Sequence, residues 1–394
     1  MSKQYSFDTP INRVGSNCVK HDRVLKEFGA RDVIPLWVAD MDFATPDFIM
    51  NAIRKRCEHE VLGYPLTPEG WFNSIHAWLK KRYDWNVSSQ ETGFLPGIVA
   101  GVAFVVRCFT NPGDKILIQT PVYPPFFHIP RKNNREVVIN PLRFENGRFE
   151  IDFDDFELKA ASGCKLFILC SPHNPGGRIW TKDELLRMAE ICKRHNITIV
   201  SDEIHADLSL PGQKHDPLAT LVSDKETKII TLMAPSKTFN MPGLGSSFYV
   251  IQQPALRSVF KHYLDGGELS NGNIFAFTAA QAAYEHGEEW LEQLTHYLQG
   301  NIDLIDGFLK KNIPQIKACI PQASFLIWLD CRDLPFSPEE LHQFFIHKAK
   351  LGLNPGYSFG AGGEGFMRLN VGCTRKTLHL AMIQLKTAVD ELMS

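Results

Sequence analysis

Six short apolar runs, each followed by a polar or glycine-bearing turn, constrain this chain more than any other feature. They are residues 115–119 (KILIQ), 136–140 (EVVIN), 165–170 (KLFILC), 197–201 (ITIVS), 228–233 (KIITLM) and 247–251 (SFYVI). The runs are continuous rather than alternating, so strands built from them are apolar on both faces and must be covered on both. Amphipathic stretches of helical period lie between them. In residues 181–195, Thr181 followed three residues later by Glu184 is a capping box that marks a helix start. Strand–helix–strand alternation over residues 88–287 predicts a doubly wound α/β domain with a mostly parallel sheet.

The ends read differently. From residue 288 helical patterns dominate until a strand at 324–330 (SFLIWLD). A helix at 337–349, a strand at 367–371 and a terminal helix at 376–392 then predict an α+β unit. The first ~45 residues carry no helix signal and are expected to pack beside it. The chain has no repeat and no Gly-, Ser- or Pro-rich linker, so domain junctions are expected inside continuous helices. The expected division is 1–48, a segment packing with the small domain; 49–287, the large domain; and 288–394, the C-terminal small domain.

Charge and cysteine content exclude several classes of function. Lys plus Arg is 42 and Asp plus Glu is 44, a net charge of -2. No overall field gathers nucleic acid or anionic lipid. No run approaches the ~18 apolar residues of a membrane span. The N-terminus lacks the apolar core of a signal peptide. Nine cysteines without a C-x-x-C pair or zinc spacing predict reduced, mostly buried thiols, no metal site and a cytoplasmic protein.

In open α/β sheets ligands bind beyond the carboxyl ends of the strands. Four turns there carry chemistry. After KLFILC, the stretch 171–177 (SPHNPGG) is a turn by composition, yet Asn174 is placed where an amide meets a bound oxygen. After ITIVS come Asp202, Glu203, Ile204 and His205. A carboxylate at the end of a buried strand needs a partner, such as a protonated ring nitrogen; the plainer alternative is an Asp capping its own loop. His205 is equally readable as a structural histidine. After KIITLM, Lys237 stands between Ser236 and Thr238. A lysine in a dry site has a lowered pKa and can form a Schiff base. The segment 94–101 (FLPGIVAG) passes from strand to helix, and a helix beginning near Gly97 presents free N–H groups to an anion.

In this order, with a late Arg-Leu-Asn, the motifs resemble the fold-type I pyridoxal 5′-phosphate enzymes, the aspartate aminotransferase superfamily. The phrases at 37–46 (WVADMDFATP), 121–126 (PVYPPF), 201–206 (SDEIHA), 236–240 (SKTFN) and 366–373 (FMRLNVGC) are similar to its MalY/PatB-type C–S lyase branch, of cystathionine β-lyase type. The resemblance implies an α/β large domain with a mostly parallel, seven-stranded-type sheet covered by helices on both faces. A smaller α+β domain comes from the N- and C-terminal segments. It implies pyridoxal 5′-phosphate held as a Schiff base on Lys237, which also acts as the base at the substrate's Cα. Asp202 would pair with the ring nitrogen and Asn174 with the ring's 3-oxygen, with Tyr123 stacking on the ring and His205 beside it. The Gly97, Ile98 and Val99 backbone and Ser236 would hold the phosphate. Arg368 would grip the substrate carboxylate, with Asn174 and Asp40 nearby, and Tyr123 with Lys237 would move protons. Tyr64 would reach the neighbouring site of a homodimer.

Two positions depart from the broad superfamily pattern. His205 stands where aminotransferases commonly carry Tyr, and Gly245 where they commonly carry an Arg on the phosphate. Both departures fit the lyase branch. The implied reaction is α,β-elimination of a sulfur amino acid to pyruvate, ammonia and a thiol. A transaminase on the same scaffold and a non-catalytic regulator retaining the fold remain alternatives. Residues 360–365 fit G-x-G-x-x-G, but a strand follows where a dinucleotide site needs a helix. They read as a mobile loop beside Arg368. Trp71, Trp78 and Trp85, spaced by seven, read as core or subunit interface, and Asp40 with Asp42 as a structural turn rather than a metal pair.

Overall fold

The structure, a computed structural model, describes residues 3–224 and 226–393. Seven strands form the central sheet: β1 (Thr92–Leu95), β2 (Lys115–Thr120), β3 (Glu136–Pro141), β4 (Cys164–Cys170), β5 (Thr198–Asp202), β6 (Ile229–Met233) and β7 (Ser247–Val250). Their spatial order is β1-β7-β6-β5-β4-β2-β3. All run parallel except β7, which is antiparallel to both neighbours. The expected α/β class therefore holds. The seventh strand, β1, is a four-residue edge that the sequence announces only as the lead-in to Gly97.

The continuous apolar runs have a direct cause. Successive strand residues point to opposite faces. Ile116, Ile118, Leu166, Ile168, Val200 and Ile230 pack on the side of helix α1 (Ile98–Phe109). Leu117, Phe167, Leu169 and Ile199 pack on the other side, against helix α2 (Lys182–Arg194). The Thr181–Glu184 capping box is present at the start of α2 and stabilises it by about 1 kcal/mol.

The C-terminal part holds an antiparallel four-stranded sheet. Its strands are β8 (Lys317–Cys319), β9 (Leu326–Asp330), β10 (Asn354–Pro355) and β11 (Phe366–Asn370), in the order β8-β9-β11-β10. Helices Pro338–His347 and Arg375–Met393 accompany it. β8 and β10, of three and two residues, are too short to leave a pattern in sequence. The N-terminal stretch joins this part: Ile34 and Pro35 pair in parallel with Leu351 and Gly352. That stretch is not free of helix, as expected, but holds two brief ones, Val19–Asp22 and Val24–Phe28, each too short for periodicity to register.

Two further expectations are corrected. The chain near residue 287 is not one continuous helix. Helix Ile274–His286 ends and Glu288–Asn312 begins at Gly287, where a Cβ would lie 2.3 Å from Ala283 O and 2.2 Å from the Phe239 ring. Residues 360–365 form a tethered turn rather than a loose loop. Gly363 N–H donates to Gly360 O (3.1 Å), Phe366 N–H to Gly363 O (3.2 Å) and Cys331 N–H to Gly365 O (3.0 Å). A Cβ on Gly363 would come within 2.0 Å of Gly356 O, so the glycines there permit close backbone approach. Trp71, Trp78 and Trp85 are buried in the largest apolar core.

Candidate active site

The parallel register brings the sequence-separated turns to one edge. Asp202, the last residue of β5, is level with Cys170 on β4 and Leu232 on β6. The loops that carry Asn174, His205 and Lys237 therefore leave the sheet side by side. The antiparallel β7 begins at the same edge with Ser247, opposite Leu95 of β1. Ser247 Oγ donates to Leu95 O (2.9 Å), and Gly97 N–H donates back to Ser247 Oγ (3.0 Å). Gly97 is in an extended conformation with φ of 129°, open only to glycine, and caps α1, so Ile98 and Val99 open the helix with unspent N–H groups. Gly245 abuts this turn. Its φ is 57°, and a Cβ would lie 3.2 Å from Pro96 O, so a side chain here is strained.

Tyr123 N–H donates to Asn174 O (3.1 Å), which joins the loop after β2 to the loop after β4. Asn174 N–H rests on Cys170 Sγ (3.3 Å). Lys237 rides on a one-turn helix, Pro235–Thr238, and its Nζ donates to Ala39 O. Arg368, buried on β11, donates to Asn174 Oδ1 (3.0 Å), Trp37 O (2.9 Å) and Asn354 Oδ1 (2.7 Å) and lies over the Phe359 ring. Its Nε is buried and has no hydrogen-bond partner among the described residues. An unmet buried donor is costly, and a carboxylate meets it.

Burial sets the electrostatics. It lowers Lys237 to about 8; Arg368 adds to that, while the carboxylates of Asp40 and Asp202 oppose it. It raises Asp202 to about 7, with Glu203 adding to the rise and the Ile204 N–H (3.1 Å) and Lys237 opposing it. It depresses His205 to about 3, helped by the positive charges of Lys237 and Arg368, so its imidazole is neutral. His205 Nδ1 is buried without a hydrogen-bond partner among the described residues. Burial also brings Arg368 down to about 10.

The segment 37–45 lies across this group as a strap. Asn370 Nδ2 donates to Val38 O (2.6 Å) and Asp40 O (2.7 Å). Asn240, at φ 52°, accepts from Met41 N–H (2.9 Å) and donates to Met41 O (2.9 Å) and Phe43 O (2.7 Å). Asp40 is held bidentately by Arg13 (2.9 and 2.7 Å). Asp42 pairs with Arg13 (2.6 Å) and with the fully buried Lys20 (2.8 Å). Both oxygens of Asp40 are thus taken, and it reaches the site through its field on Lys237. Asn240 and Asn370 stand inside motifs that the sequence singles out, but a hydrogen bond to a strap some 200 or 330 positions away leaves no local signal.

The structure gathers Lys237, Asp202, Asn174, Tyr123, His205, Ser236, Arg368 and the Gly97–Val99 turn at this edge. Tyr64 is elsewhere. It is fully exposed, in an irregular stretch at residues 60–68 that also exposes Val61, Leu62 and Leu66.

The residues fit pyridoxal phosphate. A buried carboxyl pushed toward its neutral form suits a protonated ring nitrogen, whose charge would offset the burial. An amine near its pKa suits a carbonyl. The opening turn of α1, with its unspent N–H groups, suits a phosphate. The family model described as aminotransferase class I and II matches residues 31–384. Cystathionine β-lyase PatB of Bacillus subtilis is 42% identical over 386 residues, covering 98% of this chain and 100% of that protein. Cystalysin of Treponema denticola, whose structure contains pyridoxal 5′-phosphate, superposes with a TM-score of 0.95 at 33% identity, covering 99% of this chain and 100% of that one. The PLP-bound C–S lyase of Staphylococcus hominis gives 0.90 at 35% identity, covering 98% of each.

Proposed function

From the premise that this chain belongs to the class I and II aminotransferase family, we infer that the edge described above is the active site of a pyridoxal 5′-phosphate-dependent C–S β-lyase. The observation that carries the residue assignment is the convergence of Lys237, Asp202, Asn174 and Arg368, which come from four separate turns and strands. The substrate class is an S-substituted cysteine such as cystathionine, cleaved with water to pyruvate, ammonia and a thiol.

Bound pyridoxal phosphate supplies an electron sink for the charge left at Cα. The chain does the rest. The Gly97–Val99 turn and Ser236 take the phosphate, and Asn174 the 3-oxygen. Asp202 holds a proton on the ring nitrogen. Arg368 would fix the substrate carboxylate. Lys237 accepts the Cα proton. Lys237 or Tyr123 delivers a proton to the sulfur as the Cβ–S bond breaks. His205, neutral and with its Nδ1 unpaired among the described residues, would offer that nitrogen to the bound cofactor. The absence of a side chain at Gly245 favours this reading over the aminotransferase one, because the superfamily's phosphate-binding Arg has no room there without backbone strain.

Purified protein with cofactor and cystathionine should release pyruvate and free thiol in equal amounts without an added keto acid. Transfer that depends on a keto acid would support the aminotransferase reading instead. In Arg368→Lys the planar fork is lost, and KM should rise about 10–100-fold, since hydrogen bonds to charged groups carry ~1.5–3 kcal/mol. The visible cofactor band should stay. An unchanged KM would remove Arg368 from substrate binding.

The lysine also gives a pH signature. Only the neutral amine attacks a carbonyl, and its fraction rises with pH through about 8 in the folded chain, rather than through the ordinary 10.5. Attachment of cofactor to cofactor-free protein should therefore accelerate up to about pH 8–9 and then level off, read by stopped-flow absorbance. A rate still climbing tenfold per unit above pH 9 would contradict a lowered lysine.

The partner of the Tyr64 stretch is a second copy of this chain. Four large apolar side chains exposed along one short segment support a homodimer in which Tyr64 reaches the neighbouring phosphate. Sedimentation showing a monomer at micromolar concentration would oppose it. All nine thiols are free, in keeping with a reducing cytoplasmic setting.

A further inference from the structure

Against the lysine turn lies a carboxylate that the reaction above does not use. Asp207 follows His205 by two residues and is 4% exposed. Its Oδ1 accepts from Trp78 Nε1 (2.9 Å) and Tyr83 OH (2.7 Å), and its Oδ2 from Thr238 Oγ1 (3.1 Å). Arg82 Nε stands 3.4 Å from Oδ1, and Arg82 Nη2 donates to Asp207 O (3.3 Å). Trp78, Arg82 and Tyr83 all belong to helix Glu69–Tyr83. Thr238, fully buried, is the residue after Lys237.

Three segments meet on this one side chain: the helix that follows the Tyr64 stretch, the loop after β5 that carries His205, and the turn that carries Lys237. A buried charge is expensive, and well-packed apolar groups stabilise a core as well or better. What a carboxylate adds is direction. The lysine turn needs it, because a four-residue helix is below the length that holds its own shape. Lys237 must both carry the cofactor and reach a proton, and an error of about 1 Å in such placement can cost 10²-fold in rate.

We propose that Asp207 is a positioning residue for catalysis, fixing the Lys237 turn through its hydrogen bond to Thr238. This rests on the reading of Lys237 as the cofactor lysine. The simpler role, a satisfied core carboxylate that only holds helix Glu69–Tyr83 in place, predicts a different experiment.

Thr238→Val keeps the shape and removes the hydroxyl alone. The holoenzyme should keep its visible cofactor band, but the pH midpoint of that band should move by ~0.5 unit or more. The kcat should fall about 10–100-fold, with KM within about twofold. Thr238→Ser, which restores the donor, should return both readouts close to wild type. If the valine variant does not fold, Thr238→Ala is read in the same way. A wild-type midpoint and kcat alongside a lowered Tm would overturn the proposal and leave Asp207 a structural group. If the wild-type chain shows no cofactor band, or Lys237→Ala retains it, the cofactor reading itself fails, and the proposal falls with it.

Discussion

Lys237→Ala should purify without the visible absorption of a lysine-linked cofactor and should lose at least ~10³-fold in elimination rate, within the range that a positioned acid–base group supplies. The size of the effect follows from the double use of one atom. Nζ is the tether for the cofactor and the acceptor of the Cα proton, so no neighbour replaces both roles. Tyr123, the other proton carrier, has its hydroxyl held above the ordinary phenol range by burial. It is therefore a poor base at neutral pH. Added small amines should recover part of the rate if the missing function is proton transfer. A variant that keeps both band and rate would displace Lys237 from the mechanism.

Asp202→Asn should lower kcat by about 10²–10³-fold, the scale seen when one preorganised electrostatic group is removed. The substitution conserves shape, and the Ile204 N–H can still be accepted by the amide oxygen. What disappears is the negative charge that keeps a proton on the ring nitrogen. Burial raises Asp202 to about 7 even with the Lys237 charge opposing the rise. A protonated heterocycle reverses that direction, since an opposite charge nearby favours the ionised carboxylate. The loss should therefore appear in kcat and in cofactor affinity, measured by steady-state kinetics and by titration of the apo form. A change below about threefold in both would return Asp202 to the role of a loop cap.

The central sheet was largely legible in the sequence because its strands are buried on both faces. Residues such as Ile116–Leu117–Ile118 are apolar in succession for that reason, and no tertiary knowledge is needed to see them. The chemistry-bearing turns were legible for a related reason: a parallel sheet delivers all its carboxyl ends to one edge, so Asn174, Asp202 and Lys237 could be sought in order. The edge strand Thr92–Leu95, the three-residue Lys317–Cys319 and the two brief N-terminal helices were not, since each spans too few residues for a period to repeat often enough to mark it. The junction near residue 287 was expected inside a continuous helix, whereas one helix ends at His286 and the next begins at Glu288, with Gly287 packed where a side chain would meet the Phe239 ring.

By itself, the sequence determined the α/β class and the order of the turns, and both depend on local composition and on the direction of the strands. The pairing of residue types with a lysine-linked cofactor came from the order of motifs, through the family they resemble. Only the tertiary structure decided what lies against what: that Arg13 occupies both oxygens of Asp40, that Asn240 and Asn370 hold the 37–45 strap over Lys237, that the 360–365 glycines form a tethered turn, and that Asp207 reaches Thr238. The physical reason is range. Hydrophobic period and turn chemistry act over a few residues and are written in order along the chain. A hydrogen bond between positions 31 or 330 residues apart exists only once the sheet has brought its ends to one edge.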